Sequence, residues 1–247
     1  MTITTDGIVL REQTTGEQDK LITVLTRQMG VIKAFVNGGR SPKNKNASST
    51  GLLCYSDFTF NKTKKDVYIV RESTPRQVFF KLRENIVSLS LAQYFAEITY
   101  ELSPREEKAD EFLSLILNAL YLLSERKKED ILIKSVTELR LLCLAGYMPN
   151  VVSCGGCGVY ENERMYISTF TGELFCENCK GNERVHCINM GVLSAMRHIC
   201  LSEDGKVFSF SLSKDGLTAL SDLTEKYLRS VTAKKYKTLD FYKTMTD

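Results

Sequence analysis

At 247 residues, 43% of them apolar, the chain is long enough to bury a core and to divide into two or three small domains. Its first residues, Met1-Thr2-Ile3-Thr4-Thr5-Asp6, show no basic region followed by an apolar run. The longest greasy stretch, Phe112 to Leu123, is short for a membrane span and carries Ser114 and Asn118, so a soluble, cytoplasmic protein with no membrane partner is expected. The net charge of +3 is unevenly spread: residues 1–76 carry +5, residues 77–149 carry −2 and residues 150–247 balance, so a polyanion partner is expected for the N-terminal third.

In chain order, short β-rich runs alternate with turn signals up to about residue 75. Strands are expected at 3–10, 21–26, 31–36, 52–61 and 67–71, the last two joined across Lys62-Thr63-Lys64-Lys65, with Pro75 closing the set. Five strands in this order suit an OB-fold β-barrel, so 1–76 is expected to be a nucleic-acid-binding domain. Arg11 ends the first strand in this reading and Lys33 sits in the third. Arg40, Lys43 and Lys45 occupy a loop opened by Gly38-Gly39, and Lys62, Lys64 and Lys65 crowd the last turn. Flexible basic side chains on glycine-bearing loops can follow a phosphate backbone without reading sequence. The competing reading of such charge is a solvated surface. Phe35, Tyr55, Phe58, Phe60 and Tyr68 are assigned mostly to core, so charge is expected to matter more than ring stacking.

From residue 77 the pattern changes to helical spacing. A helix is expected through Leu82, Ile86, Leu89, Phe95 and Ile98 towards Leu102. A second is expected to start at Ser103-Pro104-Arg105-Glu106, where a capping serine, a proline at the first helical position and a glutamate three residues after the cap coincide. A third runs from about Glu129 to Gly146, before Pro149.

Next, Cys154-Gly155-Gly156-Cys157 and Cys176-Glu177-Asn178-Cys179 are separated by eighteen residues that read as a β-hairpin turning at Thr171-Gly172-Glu173. Two Cys-x-x-Cys pairs at this spacing can set four thiolates at the corners of one tetrahedron, the signature of a structural zinc ribbon, here expected over about 150–186 with one zinc per chain. Four thiolates leave no ligand position for water or substrate, so the metal is read as scaffolding. Cys54, Cys143, Cys187 and Cys200 read as small core residues, Cys187 being a substitute ligand at most. Helices are expected at Val192–Cys200 and, capped by Ser213, through Leu217 to Val231, with a final turn around 239–245. Phe208–Leu212 alternates like a strand, or like an extended linker packed on helices. The fold class is α+β: an N-terminal OB-fold barrel, then a helical domain over 77–247 that carries the ribbon.

No P-loop, G-x-S-x-G elbow, H-E-x-x-H helix or G-x-G-x-x-G turn occurs, and there are only two histidines, His186 and His198. A binding protein is therefore expected, not an enzyme, and no catalytic residue is assigned.

The chain resembles the RecO family of bacterial recombination and DNA-repair mediators. The likeness rests on Thr5-Asp6-Gly7-Ile8-Val9-Leu10-Arg11, on the run from Gly16 to Thr26, on Gly30-Val31-Ile32 and on Gly38-Gly39-Arg40-Ser41. It continues through Glu138-Leu139-Arg140-Leu141-Leu142, Gly146-Tyr147 with Pro149, and the cysteine pairs. Where family members usually write lysine-alanine-glycine-arginine, this chain has Val36-Asn37-Gly38-Gly39-Arg40, so Arg40 is the basic residue that carries over. The resemblance implies binding of single- and double-stranded DNA, annealing of complementary strands without ATP, and loading of RecA together with RecR on DNA coated by single-stranded DNA-binding protein. It also implies a nucleoid-associated location. Capture of the acidic, apolar tail of single-stranded DNA-binding protein needs a greasy groove edged by positive charge, for which Lys134, Arg140 and Leu141 are the candidates. The alternative is a zinc-ribbon adaptor acting only through protein–protein contacts.

Overall fold

The computed structural model describes residues 1–41, 43–65, 67–181, 184–203 and 205–246. Packing groups them into two units, Met1–Glu125 with the chain from Thr238 on, and Arg126–Lys237.

In the first unit, strands β1 (Thr2–Thr15), β2 (Asp19–Thr26), β3 (Gly30–Val36), β4 (Cys54–Lys62) and β5 (Tyr68–Val78) close into a barrel in the order β1-β2-β3-β5-β4. The pairings are antiparallel except that of β3 with β5, where Ala34 and Phe35 meet Tyr68 and Ile69 in parallel. The period of two that marks these runs is plain in β4: Cys54, Ser56, Phe58 and Phe60 are buried while Tyr55, Asp57 and Thr59 are half-exposed. Inward residues such as Val9, Ile22, Val24, Phe58 and Phe60 fill the barrel. A register shift between Val9 and Arg11 bends β1, so that one strand pairs with both β2 and β4 and seals the ring. Pro75 does not close the set. It lies within β5, opposite Ser56 and beside a register shift, where an interrupted ladder tolerates a residue that has no N–H to donate.

Helix α1 (Ile86–Leu102) starts at Asn85, whose side chain accepts from the Ser88 N–H; a short 3-10 turn, Phe80–Glu84, precedes it. The helix expected at Ser103 does not begin there. Val31 N–H donates to Pro104 O, Glu106 N–H to Met29 O and Ala109 N–H to Arg27 O, each at 2.9 Å, so the segment after Ser103 is tied to the β2–β3 turn instead of coiling into a helix. Arg105 forms an antiparallel bridge with Gly30. These tertiary bonds outweigh the local capping signal, and α2 begins only at Asp110 (Asp110–Ser124). Gly30 permits the approach: its φ is +57°, and a Cβ there would lie 2.2 Å from Pro104 O. α1 packs against β1 and α2 against β2. After the second unit the chain returns in α6 (Lys237–Thr244), where the Thr238 hydroxyl donates to Glu97 on α1.

The second unit holds α3 (Asp130–Leu144), α4 (Met190–Leu201), α5 (Lys214–Thr232) and a small sheet, β7-β6-β8, of β6 (Met165–Ile167), β7 (Leu174–Cys176) and β8 (His186–Ile188). α3 ends as its glycine signal implies: Gly146 has φ +88° and Tyr147 N–H closes on Leu142 O at 2.8 Å. Asn189 and Ser213 cap α4 and α5 by accepting from Val192 and Gly216 N–H. Residues 208–212 form no strand; Phe208 is buried and Phe210 meets His198 edge to face. Cys187 is exposed on β8, contrary to its reading as a core thiol, because the strand's period of two buries Ile188 instead.

Candidate functional site

The four cysteines of the two Cys-x-x-Cys pairs converge: their sulfurs all lie within 4.8 Å of one another, with Cys157 Sγ and Cys176 Sγ 3.7 Å apart. A tetrahedral metal with bonds of about 2.3 Å separates its sulfurs by about 3.8 Å, so the cluster could hold a metal ion. β6 pairs with β7 to hold Cys176, and the first knuckle docks on it through Gly155 N–H to Leu174 O at 2.7 Å. Gly156 is required by close approach, since a Cβ there would meet Cys179 Cβ at 2.9 Å and its sulfur at 3.0 Å. Burial opposes ionisation of Cys154, but N–H groups outweigh it. Gly156 and Cys176 donate to its sulfur at 3.4 and 3.3 Å, and its pKa falls to about 6. Cys179, packed against the sulfurs of Cys176 and Cys157, is pushed up to about 12. Four thiolates can share this volume only with a cation between them. Cys187 is not in the cluster.

Arg197 of α4 is buried and fixes the loop that carries the first knuckle. It donates to Val151 O, Val152 O and Tyr160 O at 2.8, 3.0 and 2.7 Å, pairs with Glu161 at 2.8 Å, and stacks on the Tyr160 ring at 3.8 Å. The first knuckle is thereby tied to the helical core of its unit.

The eight basic residues expected to meet phosphate all belong to the barrel but fall into groups. Arg40 anchors the β3–β4 loop on the β1–β2 turn: its guanidinium donates to Glu17 O at 2.9 Å and its N–H to Gln18 O at 3.0 Å. Lys43 is exposed in the same loop, and Lys45 reaches Glu72 at 3.4 Å between two exposed side chains. At the β4–β5 turn Lys64 and Lys65 are exposed, and Lys62 lies 5.4 Å from the Tyr68 ring. The parallel pairing of Ala34 with Tyr68 brings this turn alongside β3, where Lys33 is exposed. Arg11 lies within β1, not at its end, in register with Thr23, which is in register with Lys33, so one row on the barrel's outside carries both charges.

Among the described residues Arg11, Lys33, Arg40, Lys43, Lys64 and Lys65 make no ion pair. Exposed Arg71 of β5 likewise makes none among the described residues, whereas two other arginines of the barrel show the contrast. Arg27 pairs with Asp6 at 2.8 Å and Arg76 with Asp57 at 2.7 Å. Burial would raise the Asp6 pKa, but Arg27 and the Tyr55 hydroxyl together hold it below the ordinary carboxylate value, so this charge is spent inside the fold. Of the rings, Phe58 and Phe60 are wholly buried and Tyr68 nearly so, whereas Phe35 and Tyr55 are half-exposed.

The candidates for a tail groove are placed otherwise than expected. Lys134 is 2% exposed and lies in the α3–α5 interface, 2.9 Å from Glu138 and 3.4 Å from Glu225, with Ser221 Oγ at 3.1 Å. Leu141 is fully buried. Arg140 turns to the end of α4, donating to Ile199 O and Cys200 O at 3.3 and 3.0 Å. A helical period cannot say which face meets a second helix and which meets water. A groove of about 430 Å³ lies at the start of α3, where Arg126, Lys127, Lys128 and Glu129 edge Leu132, Phe210 and Leu212. The visible signal for it was the charge run before α3.

Residues 1–79 match the family described as "Recombination protein O N terminal" and residues 83–240 the one described as "Recombination protein O C terminal". The chain is 34% identical over 242 residues to a DNA repair protein RecO of Acetivibrio thermocellus, covering 98% of this chain and 96% of that one. It is 30% identical over 184 residues to that of Alkaliphilus metalliredigens, covering 73% of each. With that of Caldicellulosiruptor saccharolyticus it shares 26% over 237 residues, 96% of each.

Proposed function

The chain belongs to the RecO family of DNA repair proteins, and from that premise we propose that it is a non-enzymatic mediator that binds single- and double-stranded DNA through its barrel and anneals complementary strands without ATP. The observation that carries this reading is the uncompensated charge on the barrel, where six basic side chains make no ion pair among the described residues while Arg27 and Arg76 do. Strand repulsion is the main obstacle to annealing, and a surface that exchanges counterions for lysine and arginine lowers it for any sequence. The strand order, with β1 closing on β4 and β3 parallel to β5, supports the OB-fold reading of this platform. The cysteine cluster is read as a zinc site with all four positions filled by protein, which serves the fold and not the chemistry. RecR, RecA and single-stranded DNA-binding protein are the proposed partners, in a bacterial cytoplasm and at its nucleoid.

Arg40→Ala with Lys43→Ala, compared with wild type across a salt series, tests the DNA surface. Each lost phosphate contact should reduce the log–log salt slope by roughly one unit and slow annealing. Because Arg40 also holds the β1–β2 turn, thermal melting must show the variant folded. Unchanged slope and annealing rate in a folded double variant would remove this loop from the interface. For the tail, Arg126→Glu with Lys128→Glu should weaken binding of an acidic apolar tail peptide at least tenfold by titration, and unchanged affinity would sink the groove at α3 as its site.

A further inference from the structure

Tyr100, half-exposed near the end of α1, has two guanidinium groups against its ring: Arg11 of β1 at 4.0 Å from the centroid and Arg105 of the segment after Ser103 at 5.3 Å. Like charges gathered on one ring repel, and the ring quadrupole offsets only part of that repulsion. Neither arginine has a carboxylate partner among the described residues, although Glu106 and Glu107 follow Arg105 directly. The backbones that carry the pair are nonetheless held in place. Arg11 is fixed by the β1–β2 ladder, and Arg105 by its bridge to Gly30 and the bonds of Pro104 and Glu106 to the β2–β3 turn. Two guanidinium groups gathered at one ring with no carboxylate partner among the described residues offer a phosphate charge-assisted hydrogen bonds.

We propose that Arg11, Arg105 and Tyr100 form a phosphate clamp at which a nucleic-acid backbone enters the barrel surface. The inference rests on the DNA-binding reading above and adds Arg105, which lies outside the barrel strands, to its residues. From the clamp, β1 leads to the turn after Thr15, where Arg40 is anchored, and the shared row with Thr23 leads to Lys33. Five residues of extended strand from Arg11 to Gly16 span about 17 Å.

The test measures binding of a fluorescent single-stranded oligonucleotide across a salt series for wild type, Arg105→Ala, Arg11→Ala, Tyr100→Phe and Tyr100→Ala. Arg105→Ala should lower the log–log salt slope by roughly one unit. Tyr100→Phe, which keeps the ring face, should match wild type, and Tyr100→Ala should weaken binding with the barrel still folded by melting. Arg105 is exposed and makes no side-chain hydrogen bond among the described residues, so its replacement tests the clamp even where Arg11→Ala destabilises β1. If wild type binds DNA and Arg105→Ala keeps the wild-type slope and affinity, the clamp is overturned while the DNA reading stands. If wild type itself shows no salt-dependent binding, both fall.

Discussion

Cys154→Ser is expected to release the metal and unfold the ribbon. The wild-type protein, purified reduced, should carry one zinc per chain by elemental analysis, and the variant should carry far less. Apparent binding free energies of structural zinc in small folds are about 10–16 kcal/mol, and that energy is folding energy. Cys154 is the ligand whose removal should matter most, because its buried sulfur accepts two N–H groups, one from each knuckle, and joins them. The effect should pass beyond the ribbon. Arg197 ties residues 151–161 to α4, so disorder in the knuckle would leave a buried guanidinium without three carbonyl partners. Thermal melting should show a lower or broadened transition, and a chelator should produce the same change in the wild type. Metal-free wild-type protein with an undisturbed melt would end the metal reading.

Lys134→Ala should be among the most destabilising single substitutions on the helices, with stability falling by about 3–5 kcal/mol. The ammonium is nearly inaccessible between Glu138, itself 0% exposed, and Glu225. Removing it takes the shared ammonium away from two carboxylates on α3 and α5, leaving Thr224 donating to Glu138 and Arg229 paired with Glu225 at 3.0 Å. For a chain of this length a loss of that size lowers the melting temperature by on the order of 10 °C. Lys134→Met combined with Glu138→Leu should recover much of the loss, since an apolar replacement of a buried pair avoids the stranded charge. A melt within a degree or two of wild type for Lys134→Ala would mean that the lysine is solvated and the carboxylates are not forced together. The same burial predicts that Lys134→Glu would weaken any partner's binding through lost structure and not through a lost contact, so partner assays on that variant need a folding control.

The parts legible in the sequence were those decided by near neighbours. Short β-rich runs between turn signals marked the barrel strands, and in β4 the alternation is clean because a half-buried strand needs a period of two. The cysteine spacing gave the cluster, because two tight knuckles on a hairpin converge by their own geometry. Gly146 and Ser213 marked helix ends, since caps are satisfied by the next few residues. Ser103-Pro104 misled for the complementary reason: its local signal was sound, but Val31, Met29 and Arg27 offered backbone partners from 73 to 82 residues earlier, and no local pattern contains them. Burial of Lys134 and Leu141 was hidden in the same way, because helix α3 is apolar or neutral round much of its surface and only the packing of α5 selects which side is covered.

What the sequence by itself determined, then, is the identity of the chemistry: four thiols at metal spacing and an excess of positive charge in the first third. What only the tertiary structure decided is which charges remain available. Arg27 and Arg76 are consumed by Asp6 and Asp57, and Lys134 by two glutamates, whereas Arg11 and Arg105 meet on one ring from opposite sides of a long sequence gap. Coulomb attraction falls with distance in space and takes no account of distance along the chain, so the free or committed state of a charge is set by the fold.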